Sequence, residues 1–206
     1  IFSWLDRIIA QGFDGCYMDI IDAYIYYEER GRATAKQEMV GFVKAIAKYC
    51  RQTKGKPDFY IFPQNCEQLA DEPGYLDAVS GIGREEVFVF NKNKKSTQQE
   101  RDTATRYLDK FVKAGKTVLM IDYADQKPLI DECYLLSSQH RYIEYVTDVD
   151  LGVLTVNAGH EPENMKPCGA VIPPAGTAML SWTGESGYTA GGVQPGTGNT
   201  TDTFVF

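Results

Sequence analysis

The stretch GFDGCYMDIIDAYIYYE, from Gly12 to Glu28, decides the fold of this chain. A short apolar strand is predicted at 14–19; it ends on Asp19, and Asp22 and a run of tyrosines follow. In barrel-type α/β proteins the chemistry lies at the carboxyl edge of the sheet, where such a strand places its terminal acid. Two carboxylates three residues apart, among aromatic rings, therefore predict acid/base chemistry on a polar, ring-shaped ligand.

Helices and strands alternate along the rest of the chain. Apolar residues at helical spacing predict helices over 1–11 and 33–50, one that follows a capping box of Ser96 and Gln99, and one from Pro128 to about Ser138. Further strands are predicted at 58–65, 78–88, 117–123, 142–147 and 152–156. This alternation is typical of a parallel sheet with right-handed crossovers.

The fold class that this pattern indicates is α/β, of the (β/α)8 TIM-barrel type. A doubly wound sheet gathers its ligand residues at one switch point, whereas a barrel draws on every strand. Here each of the first four strands ends on polar residues, namely Asp19, Gln64 with Asn65, Glu85 with Glu86, and Asp122 with Tyr123. Four or five βα units are visible, roughly the second half of an eight-unit barrel. Since the chain opens within an apparent helix, we expect that an N-terminal part is absent.

The composition changes beyond residue 166. From 167 to 206 the chain is rich in Gly, Thr and Pro, and short β runs alternate with turn dipeptides. We therefore expect two parts. Residues 1–166 form the C-terminal part of the barrel domain, and residues 167–206 form a truncated β-sandwich-like segment or a tail.

The overall composition narrows the range of partners. A net charge of −7 argues against nucleic acid, which requires a basic surface. No apolar run approaches the ~20 residues of a membrane-spanning helix, so membrane insertion is not expected. None of the five cysteines belongs to a CxxC pair, and we expect no metal and no other cofactor.

Asp19 and Glu85 are the two candidate catalytic residues. They end alternate strands, so in a barrel their side chains converge on the central cavity, and cleavage of a glycosidic bond requires two carboxyl groups. A purely structural interpretation stays open. In that interpretation Asp19 caps a loop, and Glu85 pairs with Arg84 or another cation.

Six further residues are candidate ligands of a substrate: Asp22, Tyr24, Gln64, Asn65, Asp122 and Tyr123. Asp22 is suited to hold a hydroxyl or amine, or to form an Asx turn. Tyr24, with the two tyrosines after it, is suited to stack on a sugar or to pack in the protein. The amides of Gln64 and Asn65 offer donors and acceptors to hydroxyl groups. Asp122, near the end of the most apolar strand, is expected to point outward.

Four motifs in this order resemble the glycoside hydrolase family 114-like group: GFDGCYMDIIDAYIYYE, FPQNCE, YLDAVSGIGREEVF and VLMIDY. The likeness covers roughly residues 1–163. That group includes endo-α-1,4-polygalactosaminidases. The resemblance implies a TIM barrel of which strands near 4–8 are present here.

The resemblance also implies a role for each acid. The family's catalytic acids fall on Asp19, in GFDG-x-x-x-D, and on Glu85, in GRE-x-x-F, while Glu86 points the opposite way in an extended strand. By analogy with other α-glycosidase barrels, Asp19 is the nucleophile and Glu85 the acid/base. The mechanism is then retaining, with carboxyl groups about 5–5.5 Å apart.

The resemblance implies hydrolysis of an α-linked, galactosamine-containing polysaccharide, and an acidic site is suited to a cationic amino sugar. The alternative is a carbohydrate-binding or cell-surface module without catalysis, which needs the tyrosines and Asn65 but not Glu85. The stretches VIPPAGTAMLSWTGESGY and TTDTFVF resemble the start of an immunoglobulin-like repeat of secreted proteins. We therefore expect an extracellular protein.

Overall fold

Five parallel strands lie side by side in the order in which the chain makes them. The computed structural model describes residues 1–152 and 155–160. The strands are β1 (Gly15–Met18), β2 (Tyr60–Pro63), β3 (Gly81–Glu85), β6 (Thr117–Tyr123) and β7 (Ile143–Thr147), while β4 (Val89–Phe90) and β5 (Lys94–Lys95) form a small antiparallel hairpin. β1 pairs with β2, β3 with β6 and β6 with β7, all parallel. A parallel bridge between Gln64 and Gly83 links β2 to β3.

Helices connect these strands and confirm the predicted α/β class. They are α1 (Phe2–Ala10), α2 (Ala23–Glu28), α3 (Ala35–Lys48), α4 (Tyr75–Ala78), α5 (Gln98–Lys113) and α6 (Lys127–His140). A π-helical turn, Tyr49–Thr53, extends α3, and a 3-10 helix, Glu67–Asp71, precedes α4. In the part of the chain that the structure describes, no helix combines the length and apolar character needed to cross a membrane. The predicted β segment at 167–206 lies outside the described residues.

The capping box of α5 lies one residue later than predicted. Thr97 and Glu100 form it, each side chain bonding to the other residue's backbone N–H. Ser96 is buried instead, and its N–H donates to the carbonyl oxygen of Phe88 (3.0 Å). The prediction of Ser96 and Gln99 was wrong. The capping-box pattern fits the sequence both at Ser96 and at Thr97, and tertiary contacts decide which of the two residues starts the helix.

Two predicted strands also differ from the structure. The strand expected at 78–88 is limited to β3, because a helical turn ends at Ala78 and Glu86 takes a left-handed backbone conformation (φ 59°). The strand expected at 152–156 does not form at the described residues 152, 155 and 156.

The alternation of side chains along the strands separates two faces of the sheet. On one, here called the helix face, buried side chains lie against the helices; they include Ile61, Ile82, Val118, Met120, Asp122 and Val146. The opposite one, here called the site face, carries Tyr17, Gln64, Glu85, Leu119 and Tyr123. The core therefore lies on the helix face, and the other face is left for chemistry.

The core on the helix face follows from helical spacing. Ala104, Leu108 and Phe111 recur along one side of α5, and all three are buried. In α3, Val43 and Ile46 are buried in the same way. Each wholly buried side chain of this size contributes ~1.5–3 kcal/mol from apolar burial, so the two helices hold the sheet in place.

Glycines on the site face let aromatic rings of neighbouring strands lie across the sheet. A Cβ atom at Gly83 would overlap the hydroxyl of Tyr17, and one at Gly81 would overlap the ring of Phe62 and the carbonyl oxygen of Thr117. The rings of Tyr17 and Phe62 are nearly parallel, with centroids 6.5 Å apart. The absence of a side chain at the two glycines is therefore a packing requirement.

Gly81→Ala tests this close packing. The added methyl group meets the backbone of β6 as well as a ring, so we expect the free energy of unfolding to fall by ~1–3 kcal/mol, measured by urea denaturation. Gly41→Ala is the matched control, because Gly41 lies in α3 with no atom within 4 Å of the added Cβ. Alanine there should raise stability by ~0.5–1 kcal/mol. A Gly81→Ala protein as stable as its parent would contradict the packing.

Candidate active site

Polar side chains gather at the carboxyl edge of the sheet. Glu85 is the last residue of β3 and Tyr123 the last of β6, Asp19 directly follows β1, and Gln64 and Asn65 directly follow β2. Because parallel strands all end at the same edge, these residues come from four strands to one place. This edge is the candidate active site.

Two hydrogen bonds from neighbouring strand ends hold the Glu85 carboxylate. The hydroxyl of Tyr123 donates to Oε2 (2.6 Å), and Nδ2 of Asn65 donates to Oε1 (3.2 Å). Tyr123 is almost fully buried, which fixes its ring. Since both carboxylate oxygens are engaged, the group has a defined orientation.

Asn65 is in turn positioned by Arg84. Nη1 of Arg84 donates to Oδ1 of Asn65 (3.2 Å), and Nε of Arg84 forms an ion pair with Oε2 of Glu67 (3.0 Å). Arg84 also donates to the backbone carbonyl oxygen of Glu85, but its recorded ion-pair partner is Glu67. The amide of Asn65 is thereby turned so that its NH2 group faces Glu85.

These contacts determine the charge of Glu85. Partial burial raises the pKa of the carboxyl group, but hydrogen bonds from Tyr123, Asn65 and Gln64, together with the charge of Arg84, outweigh burial and hold the pKa below its usual range. Glu85 is therefore an anion at neutral pH in the free protein.

Tyr17 links Glu85 electrostatically to Asp19. Burial, followed by the negative charges of Glu85 and Asp19, raises the pKa of Tyr17 to about 12, and its hydroxyl donates to Oε1 of Gln64. Asp19 is exposed, and its Oδ1 accepts a hydrogen bond from the N–H of Ile20 (2.7 Å). Both acids are therefore close enough to Tyr17 for their charges to raise its pKa.

The backbone is strained at the same edge. Positive φ angles occur at Ile20 (61°), Asn65 (62°), Cys66 (63°) and Glu86 (59°), each within three residues of a strand end. For a β-branched residue such as Ile20 this conformation is a true outlier. Strain of this kind persists where the surrounding structure holds it, and it is concentrated at functional sites.

The family of the chain follows from its sequence match. Residues 1–162 match the model of glycoside-hydrolase family GH114. The chain belongs to this family. The resemblance expected from the four motifs is thus confirmed, and the edge that carries Asp19 and Glu85 lies within the matched residues.

Proteins of similar sequence are longer than this chain. An uncharacterized protein of Deinococcus radiodurans is 39% identical over 154 residues, which are 74% of this chain and 48% of that protein. An uncharacterized protein of Thermotoga maritima is 40% identical over 132 residues, which are 61% of this chain and 39% of that protein. The chain therefore spans less than half the length of these curated relatives.

A solved structure shares the fold. The glycoside hydrolase domain of PelA from Pseudomonas aeruginosa superposes with a TM-score of 0.56 at 20% sequence identity, covering 75% of this chain and 60% of that one. At this identity the similarity shows a common α/β architecture with parallel strands.

The structure places four of the six predicted ligands of the GH114 chain at or near the edge. Tyr123 and Asn65 hold Glu85, and Gln64, which is 8% exposed, accepts the hydroxyl of Tyr17. Asp22 is exposed at the start of α2 and makes no capping bond there. Tyr123, Asn65 and Gln64 thus orient other site groups.

The other two predicted ligands are buried. Tyr24 is 3% exposed, and its hydroxyl accepts a hydrogen bond from Nε2 of Gln68 (2.9 Å), so it offers no surface for stacking; Tyr26 and Tyr27 beside it are exposed. Asp122 is 0% exposed, and the prediction that it points outward is wrong. Alternation along β6 turns residue 122 to the helix face and residue 123 to the site face.

Sequence reasoning missed Tyr17 and Glu67 as residues that build the site, and it named Arg84 only as an ion-pair partner of Glu85. Tyr17 lies two residues before Asp19 in the sequence, so the period of a strand could have placed it on the same face. The pairing of Glu67 with Arg84 joins segments that are distant in sequence and gives no local signal.

The four cysteines in the described residues are free, and burial raises the pKa of Cys16 and Cys66 to about 12, so these two thiols are protonated at neutral pH. Within residues 1–152 and 155–160, no three His, Cys, Asp or Glu side chains are grouped to hold a metal ion. The side chains of this edge that are suited to acid/base chemistry are therefore its carboxyl groups and tyrosines.

Tyr123→Phe tests the arrangement around Glu85. Loss of the hydroxyl removes the strongest hydrogen bond that stabilises the carboxylate, so we expect the pKa of Glu85 to rise, measured by NMR titration of the side-chain carboxyl carbon. Tyr24→Phe is the control, because its hydroxyl bonds to Gln68. An unchanged Glu85 pKa in Tyr123→Phe would show that the hydroxyl does not set the charge.

Proposed function

We propose that this chain is part of a glycoside hydrolase domain in which Asp19 and Glu85 are the two catalytic carboxylates. The observation that carries the proposal is the orientation of Glu85 by Tyr123 and Asn65 at the edge where Asp19 is exposed. Two carboxyl groups at one sugar-sized site are what glycoside hydrolysis requires. Membership of GH114 supports the same reaction class.

The domain is a (β/α)8 barrel, of which the five parallel strands are strands 4–8. Three findings support this part of the proposal: the spatial order of the strands equals their order in the chain, the site lies at their carboxyl edge, and the chain shares its fold with the PelA glycoside hydrolase domain.

The mechanism proposed is retaining. Asp19 attacks the anomeric carbon as the glycosidic C–O bond breaks, and Glu85 gives its proton to the departing oxygen. Glu85 then removes a proton from water, which releases the sugar from Asp19. Because Glu85 is an anion in the free protein, a bound sugar must first displace water from the carboxyl group and so raise its pKa.

The substrate class proposed is an α-1,4-linked, galactosamine-containing polysaccharide. Asp19, Asp22 and Glu85 are carboxyl groups at or near the edge, and they attract an ammonium group. Tyr26 and Tyr27, in the helix α2 that follows Asp19 along the chain, have exposed rings suited to stack on a sugar. A polysaccharide of this kind is met outside the cell, so we also propose an extracellular location.

Glu85→Gln and Asp19→Asn test the pair. We expect each to lower kcat on galactosamine oligosaccharides by about 100- to 10,000-fold, while binding measured by calorimetry persists. Glu86→Gln is the matched control, since the Oε1 of this neighbouring acid accepts the backbone N–H of Asn91 (2.8 Å). Binding without hydrolysis in every protein, the parent included, would favour a carbohydrate-binding module.

Azide identifies the role of each acid. In a retaining enzyme, azide restores turnover to Asp19→Ala with an inverted glycosyl azide and to Glu85→Ala with a retained one. The opposite pairing of products would exchange the two roles. The retaining mechanism would be excluded if azide rescued neither variant and the parent enzyme released a sugar of inverted configuration.

A further inference from the structure

Asp122, which faces away from the site, holds the backbone that follows Glu85. Its Oδ1 accepts hydrogen bonds from the N–H groups of Phe88 (3.0 Å) and Val89 (2.9 Å). The side chain is 0% exposed. A charged acceptor makes such bonds shorter and about twice as strong as those between neutral groups, so this segment is firmly anchored to β6.

The anchored segment is the turn that leads out of β3. Glu86 has a strained backbone there (φ 59°), and its N–H donates to the carbonyl oxygen of Ile121 (2.8 Å). The hairpin of β4 and β5 begins at Val89. Bonds on both sides of Glu86 therefore tie the end of β3 to β6 and hold the strained turn, which fixes the position of the residue before it, Glu85.

A second acid, the half-buried Glu144 of β7, lies beside Asp122, and its Oε1 atom is buried. Both side chains lie on the helix face of adjacent strands. Among the described residues, Oδ2 of Asp122 and Oε1 of Glu144 have no hydrogen-bond partner, while the hydroxyl of Ser137 donates to the other oxygen of Glu144. A single proton between the two unpartnered oxygens would satisfy both atoms, and two buried carboxylates without it would repel each other.

The charges in this pocket agree with one proton. Burial raises the pKa of Asp122 to about 6. The hydrogen bonds from the 87–89 backbone and the charge of Arg84 act in the opposite direction and limit this rise. Burial and the charge of Asp122 raise the pKa of Glu144 well above its usual range. Cys133 of α6 is protonated, since burial and both acids raise its pKa. Both shifts favour the protonated form, which agrees with one proton held by the pair.

We propose that Asp122 and Glu144 share one buried proton and that Asp122 is a positioning residue for Glu85, acting through the backbone of Phe88 and Val89. The inference rests on the proposed catalytic role of Glu85. A displacement of ~1 Å at a reacting group costs on the order of 100-fold in rate, so loosening this turn lowers turnover although Asp122 touches no substrate.

Asp122→Ala and Asp122→Asn, made in the full chain, test the proposal. Alanine removes the acceptor, so we expect amide hydrogen exchange at Phe88 and Val89 to accelerate and kcat to fall by about 10- to 100-fold with little change in KM. Asparagine keeps Oδ1 as acceptor and offers Nδ2 to Glu144, so it should restore slow exchange and most of kcat. Ser137→Ala is the matched control, since it alters the same pocket but leaves both backbone bonds intact.

The exchange measurement needs no substrate, which separates this proposal from the proposed function. A parent protein without hydrolytic activity would refute the function, and exchange would still test the anchor. Unchanged exchange and unchanged kcat in Asp122→Ala, or equal loss of kcat in Ser137→Ala, would overturn the positioning role. If the alanine variant does not fold, Asp122→Ser replaces it, because serine is too short to reach both amides.

Discussion

The parallel pairing of β3 with β6 is the constraint on which the candidate site depends. Its register places Glu85 opposite Ile121, so Tyr123 lies two residues further along the same face and its hydroxyl reaches the carboxylate at 2.6 Å. The same register turns Asp122 to the other face, where it bonds to the turn after Glu85. One strand therefore orients the acid directly and also secures the backbone that carries it.

This arrangement has a cost in stability. An oriented carboxylate needs buried polar partners, and the Asp122–Glu144 pair is a buried acidic cluster whose desolvation opposes folding. Because their pKa values are raised, the folded state binds more protons than the unfolded chain. The contribution of the pair to folding stability therefore falls as the pH rises from the pKa of Asp122 in the unfolded chain to about 6 and beyond. Strained residues such as Ile20 add to that cost. Functional sites commonly give up stability in this way.

The sequence predicted the alternation of strands and helices and the chain positions of Asp19 and Glu85, because apolar runs and their polar ends are local signals. It failed for Asp122, because a change of one residue in strand register moves a side chain from one face of the sheet to the other. It also failed for Tyr24, since an aromatic side chain after a strand gives the same signal whether it is buried or exposed. The contact of Arg84 with Glu67 depends on tertiary structure and had no signal at all.

The separation of the Asp19 and Glu85 carboxyl groups in a crystal structure of the complete domain tests the central claim most directly. Glycosidases need both acids on one sugar ring, and a retaining enzyme holds them about 5–5.5 Å apart. We expect a separation in that range across one open pocket, with Tyr123 and Asn65 still bonded to Glu85. Carboxyl groups more than about 10 Å apart, beyond the range of either glycosidase geometry, or facing separate pockets, would contradict the catalytic pair.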